Sequence, residues 1–318
     1  MFTLDRYRQD KQEMRMSVVG ALQEAIQENA KVVALEADLG GASGWTNIQK
    51  SHPDNFINVG IAEANMIGVA AGLSVTGFVP FVHTFGPFAS RRVFDQIFLS
   101  GAYAFNTLNI YGSDPGFCAG PNGGTHTTWE DVALMRTIPN VVICDAADDV
   151  QMDWIIKEFA KMDGIHYIRG NRKGVRNLYA KGSTFKLGKA NLLREGKDVL
   201  LISAGQLVSD ALDAADELAN QGIDVEVLDM FTIKPLDVEA ILKHSKDKKH
   251  IVVLENHSIT GGLGSAVAEV IAEQALQIPL TRMGCKEAFG QVGSQEYLQK
   301  EFGLTKDDVV KTIQNLTI

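Results

Sequence analysis

Two successive series of short apolar runs, each alternating with amphipathic stretches, constrain this chain more than any other feature. In the first series the runs at 31–37, 56–59, 78–83, 107–111, 141–144 and 166–169 are short and apolar, as buried strands are. Between them lie stretches with helical spacing: 14–29, with Val18, Leu22, Ala25 and Ile26 on one face, then 87–104 and 147–161. In the second series strands at 199–203, 225–228 and 251–255 alternate with helices at 206–221, 237–244 and 261–275. Such alternation predicts an α/β fold of two doubly wound, mainly parallel sheets, each covered by helices on both faces. A polar, glycine-bearing stretch separates the series. The expected boundaries are a first domain over 1–172, a linker over 173–188 and a second domain over 189–318.

With 318 residues, 45% of them hydrophobic, the chain has enough apolar sequence to fill two cores. The net charge is −9, and no basic cluster is longer than 169–173, which argues against a nucleic-acid partner. Cys118, Cys144 and Cys285 form no Cys-x-x-Cys pair, and the seven histidines form no His-x-x-x-His pair, so no metal cage is expected within the chain. Segment 1–15 is polar and lacks the apolar core of a signal peptide, and no run is long enough to span a bilayer. A cytoplasmic protein with no membrane partner is the expectation.

Ligands of open parallel sheets sit in the loops beyond the carboxyl ends of the strands. Three loops of the first series qualify, 38–44, 60–63 and 112–125, all rich in glycine or small residues. The third is long and has little apolar reason to exist, which marks a functional or mobile segment, and it delivers His126 to the next helix. Glu63 closes the run Asn58-Val59-Gly60-Ile61-Ala62-Glu63, just before a small-residue helix expected from Met66 to Val75. A carboxyl in that setting is at least half buried, and burial favours either a proton or a partner. Glu63 is therefore a candidate for proton handling. A first-turn acid favoured by the helix dipole is the plainer alternative. The run Gly261-Gly262-Leu263-Gly264 also opens a helix, but the third small residue of a dinucleotide fingerprint falls on Val267. It reads as close helix packing or as a helix start serving an anion. Neither a Walker Gly-Lys-Ser/Thr nor a Gly-x-Ser-x-Gly elbow is present.

The run ending in Glu63 resembles the catalytic-glutamate motif of transketolases and related thiamine-diphosphate enzymes. Gly123-Gly124-Thr125-His126 resembles their substrate loop, and Thr84-Phe85-Gly86-Pro87-Phe88 is similar to the aromatic segment that packs the cofactor pyrimidine. Lys234-Pro235-Leu236-Asp237 and Glu255-Asn256-His257 resemble the family's C-terminal domain, so the resemblance spans essentially the whole chain. The Gly-Asp-Gly followed by Asn that holds metal and diphosphate in the family does not occur. The chain thus resembles the separately encoded C-terminal half of a split transketolase.

That resemblance implies transfer of a two-carbon ketol unit from a ketose phosphate, or a related sulfonated ketose, to an aldose. It implies thiamine diphosphate as cofactor, with Mg2+ or Ca2+ held mainly by a partner. The partner would be the N-terminal, diphosphate-binding transketolase subunit, in a two-plus-two assembly. Glu63 would hydrogen-bond the pyrimidine, walled in by Phe85 and Phe88, with Asp38 and Arg91 beside the cofactor. His126 would meet substrate hydroxyls or shuttle a proton. Arg15 and Arg169, helped by Ser43, would hold the substrate phosphate, and Arg172 and Lys173 add positive charge nearby. Asp114 and Asn122 fall where the family more often has His and Asp, which leaves the substrate open. Plainer readings stand beside each: aromatics pack cores, a loop histidine caps a helix, and arginines are solvated. A deoxyxylulose-phosphate synthase half, a 2-oxo acid dehydrogenase beta subunit and a non-catalytic structural subunit also remain open.

Overall fold

Val32–Glu36 (β1) is buried at every position, as a central strand covered on both faces must be. It is followed by Phe56–Asn58 (β2), Val79–Phe85 (β3), Leu108–Ser113 (β4), Val142–Asp145 (β5) and Ile165–Gly170 (β6). The second half contributes Asn191–Arg194 (β7), Val199–Ser203 (β8), Val225–Asp229 (β9), Thr232–Lys234 (β10), His250–Ser258 (β11) and Leu280–Cys285 (β12). This is a computed structural model that describes residues 1–9 and 12–316.

The strands form a seven-stranded sheet, β10-β5-β6-β4-β3-β1-β2, and a five-stranded sheet, β12-β11-β8-β9-β7. Every neighbouring pair is parallel except β10 on β5 and β7 on β9. The α/β expectation of two mainly parallel sheets therefore holds. One strand crosses between the halves: Thr232-Ile233-Lys234 lies in the second series but pairs with Ile143 and Cys144 at the edge of the first sheet. Three residues are too few to show a period, so sequence pattern does not reveal it.

Helices Met14–Glu28 and Asp149–Phe159 cover one face of the first sheet and Glu63–Val75 the other. Two helices at the carboxyl end, Gln295–Glu301 and Lys306–Gln314, are started by the caps Ser294 and Thr305, the latter in a capping box with Asp308. They close the core of the second sheet. The expected helix over 87–104 is broken. Gly86–Ala89 ends where Ser90 leaves helical geometry (φ −121°, ψ −89°), and helical structure resumes at Phe94–Gln96 and the π-helical turn Ile97–Tyr103. The loop over 112–125 has an apolar anchor that its sequence did not lead one to expect. Phe117, Cys118 and Ala119 are buried, the first two in the core of the second sheet, and Phe117 N–H donates to Asn256 Oδ1 at 3.1 Å. It is an anchored wedge between the two halves. Among the described residues no helix is long and apolar enough to cross a membrane.

Candidate active site

The carboxyl ends of β1, β2, β3, β4 and β6 converge on one rim, and Asp38, Glu63, Phe85, Phe88 and His126 lie along it. At β2 the chain turns through Gly60 (φ 75°), whose N–H donates to Asn58 Oδ1 at 2.9 Å. That turn sets Glu63 as the first residue of its helix, three residues earlier than expected. The Glu63 side chain is only 6% exposed and is paired: Arg92 Nη1 donates to its Oε1 at 2.6 Å. Asp38, exposed and with φ 60°, borders this turn through hydrogen bonds with Asn58.

Phe85 ends β3, and Gly86 after it has no room for a side chain, since a Cβ there would meet Thr128 Cγ2 at 2.5 Å. Phe85, Phe88 and His126 form a trio of edge-on contacts, with ring centroids 5.2–6.3 Å apart. Two guanidinium groups lie against it. Arg92 stacks on Phe88 at 3.7 Å and Arg172 on Phe85 at 4.6 Å. Arg91, the arginine expected beside the cofactor, is turned away to Glu130. The helix break at Ser90 decides this, because it swings Arg92 rather than Arg91 toward Glu63. His126 Nδ1 is engaged by Thr125 Oγ1 at 2.9 Å. Partial burial, then Arg92 and Arg172, lower the proton affinity of His126, so the ring is neutral near neutral pH.

Arg15 and Arg172 converge on one carbonyl in the glycine-rich loop: their Nη1 atoms lie 2.8 and 3.4 Å from Ala42 O. Asp114, buried with φ 55°, is bound by Arg172, and Asn122 is exposed at the end of the turn Gly116–Asn122. Ser43 does not face this rim. It is buried and donates to Glu36 Oε1 at 2.6 Å. Glu36 also accepts from Leu39 N–H at 2.9 Å and meets His83, whose other ring nitrogen reaches Ser113 Oγ at 3.0 Å. This buried relay ties together β1, β3 and β4, and sequence reasoning missed it. The available signal was an acid closing the apolar run Val32-Val33-Ala34-Leu35-Glu36.

Arg169 requires a correction. It is 1% exposed, donates to Asp131 Oδ2 at 2.7 Å, and is also bound by Asp145 and by Asn256 O. On β6 it shares a face with Tyr167, which donates to the same Asp131. Its fork is fully engaged inside the protein and is not open to the rim, whereas Arg172, beyond the strand end, lies against Phe85 there. The helix start at 261–264 receives an internal carboxyl: Glu255 accepts from Leu263 and Gly264 N–H at 2.7 and 2.9 Å. Among the described residues no group of three or more His, Cys, Asp or Glu could hold a metal ion.

The pattern of transketolase pyrimidine-binding domains matches residues 10–177, and that of transketolase C-terminal domains matches 188–309. The chain belongs to the transketolase family. It is 45% identical, over 96% of its length and 94% of the relative's, to the 6-deoxy-6-sulfo-D-fructose transketolase subunit SqwH of Clostridium sp. (strain MSTE9). It is 33% identical, over 94% and 95%, to an apulose-4-phosphate transketolase subunit of Phocaeicola vulgatus. In structure it is similar to a split-gene transketolase solved as an inactive β4 tetramer, with TM-score 0.86, 38% identity and coverage of 95% and 97%. The transketolase pattern thus covers both sheets, and the rim around Glu63 lies in its pyrimidine-binding part.

Proposed function

We propose that the chain is the pyrimidine-side half of a split, thiamine-diphosphate-dependent transketolase that moves a two-carbon ketol unit from an anionic ketose to an aldose. One observation carries this reading: the buried Glu63 carboxylate and the half-buried ring of Phe88 flank one and the same flat group. The pair suits a flat, nitrogen-bearing ring, because a flat N–H donor, the Arg92 guanidinium, already stacks on the one and bonds the other. When bound, thiamine diphosphate supplies the carbon nucleophile that takes up and releases the ketol unit.

The residues of this chain do the rest. Glu63, fixed in the first turn of its helix, shares a proton with the pyrimidine nitrogen at a carboxyl oxygen. Phe85 and Phe88 exclude water from that bond. His126 meets the sugar hydroxyls through Nε2, since Nδ1 is engaged by Thr125. Arg15 and Arg172 hold the terminal anion of the ketose, a phosphate or a sulfonate, by charge-assisted hydrogen bonds. The name of the Clostridium relative makes a sulfonated ketose the first substrate to test.

The diphosphate and its Mg2+ or Ca2+ are held by a partner chain carrying the Gly-Asp-Gly segment that is absent here. Self-association is supported by the structural neighbour, solved as an inactive tetramer of four such chains, and in the proposed active assembly two copies of this chain join two partner chains. The three cysteines are free and buried, which suits a reducing cytoplasm. The test is co-purification of the partner followed by assay of the complex on ketose phosphates and sulfonates. Glu63→Gln keeps the shape and should lower turnover at least a hundredfold, the usual scale of general acid–base catalysis. Full activity in a Glu63→Ala complex would sink the reading in favour of a structural subunit.

A further inference from the structure

The Arg92 guanidinium does two things at once. Its carbon lies 3.7 Å from the centroid of the Phe88 ring, and its Nη1 donates to Glu63 Oε1 at 2.6 Å. The proposed function asks the cofactor pyrimidine to make these same two contacts, stacking on the aromatic wall and bonding the buried carboxyl. The face of Phe88 holds one flat group at a time. We infer that Arg92 is a placeholder: it fills the pyrimidine's position when the cofactor is absent and swings into solvent when the cofactor enters. The inference rests on the reading that Glu63 and Phe88 hold the pyrimidine.

The surroundings decide which partner moves. Glu63 is 6% exposed and locked into the start of a thirteen-residue helix, whereas the Arg92 side chain is 45% exposed and follows a broken turn. An arginine can leave the rim while keeping its charge in water. Glu63 has no comparable route, and stripped of its partner it would be a buried, unsatisfied carboxylate. The neighbouring Arg91 is held by Glu130 and does not compete for Glu63. The placeholder therefore satisfies Glu63 in the free chain and lowers cofactor affinity by the fraction of molecules in which it is seated.

The test is thiamine diphosphate affinity, measured by calorimetry with Mg2+ on the complex with the partner chain. Arg92→Met keeps the length and loses the flat donor. It should tighten the dissociation constant about tenfold, the effect expected if Arg92 is seated in roughly nine molecules of ten. The isolated variant should also unfold at lower denaturant, because Glu63 loses its counter-charge. Arg92→Lys, which retains charge but cannot stack as a plane, should fall between the two and serves if the first variant does not fold. Weaker binding in Arg92→Met would mean that Arg92 holds the cofactor, and unchanged binding that the contact has no bearing on entry; either overturns the inference while leaving the proposed function intact. A wild-type complex that binds no thiamine diphosphate overturns both.

Discussion

Arg172 binds both oxygens of Asp114, through its side-chain Nε at 2.6 Å and its backbone N–H at 2.8 Å. Asp114 is itself buried at the end of β4, so this double bond fixes where the guanidinium points. It points over Phe85 and toward the Ala42 carbonyl that Arg15 also reaches.

Replacing Arg172 by Ala should therefore raise KM for an anionic ketose about 10- to 100-fold, the scale of one hydrogen bond to a charged group. The turnover number should change little, and a ketose lacking the terminal anion should be nearly unaffected. Asp114→Asn should give a smaller rise by loosening the same guanidinium. Equal KM changes for charged and uncharged ketoses would exclude Arg172 as the anion ligand.

The same arginine acts on His126. Burial is the first cause of the lowered proton affinity of that histidine, and Arg92 and Arg172 add to it. Removing the Arg172 charge should move the His126 titration upward, toward the ordinary histidine value, when followed by NMR of the ring protons. A downward movement would contradict the electrostatic account.

Arg169 should behave as a strut. It joins Asp131 and Asp145, which reach it across 38 and 24 residues of sequence. Arg169→Met leaves two carboxylates buried without their counter-charge and should cost about 3–5 kcal/mol of stability in urea unfolding. Asp131→Asn should cost less, because Tyr167 and Arg169 retain an acceptor there. A stable Arg169→Met protein with only a raised KM would return Arg169 to the substrate.

Glu255 gives a pH signature. Burial pushes its carboxyl up to about 7, although the N–H groups of Gly264 and Leu263 pull the other way. The folded state thus holds this proton more tightly than the unfolded chain. The stability it contributes is fully present below about pH 4.5 and is lost as pH rises through about 7. Relative to Glu255→Gln, the wild type should lose stability between pH 5 and pH 8 by an amount on the order of 3 kcal/mol. Parallel unfolding midpoints for the two proteins over that window would rule this out.

The elements with strong periodicity were legible in the sequence. Runs such as Val32-Val33-Ala34-Leu35 announce buried strands, and their alternation with amphipathic stretches implies parallel sheets whose carboxyl ends carry the site. Glu63 and His126 were visible as chemistry at those ends, whereas Phe85 was marked only by the resemblance of its segment to the transketolase aromatic segment. Tertiary structure alone decided which of two neighbouring cations faces the site. Arg92 does and Arg91 does not, because Ser90 breaks a helix that looks continuous in sequence. Arg172 does and Arg169 does not, because Asp131 and Asp145 arrive from other elements to claim the latter. The Glu36–His83–Ser113 relay and the strand β10 were hidden for the same reason. Periodicity reports how a residue stands on its own helix or strand, whereas the partner of a buried charge is supplied by segments tens of residues away.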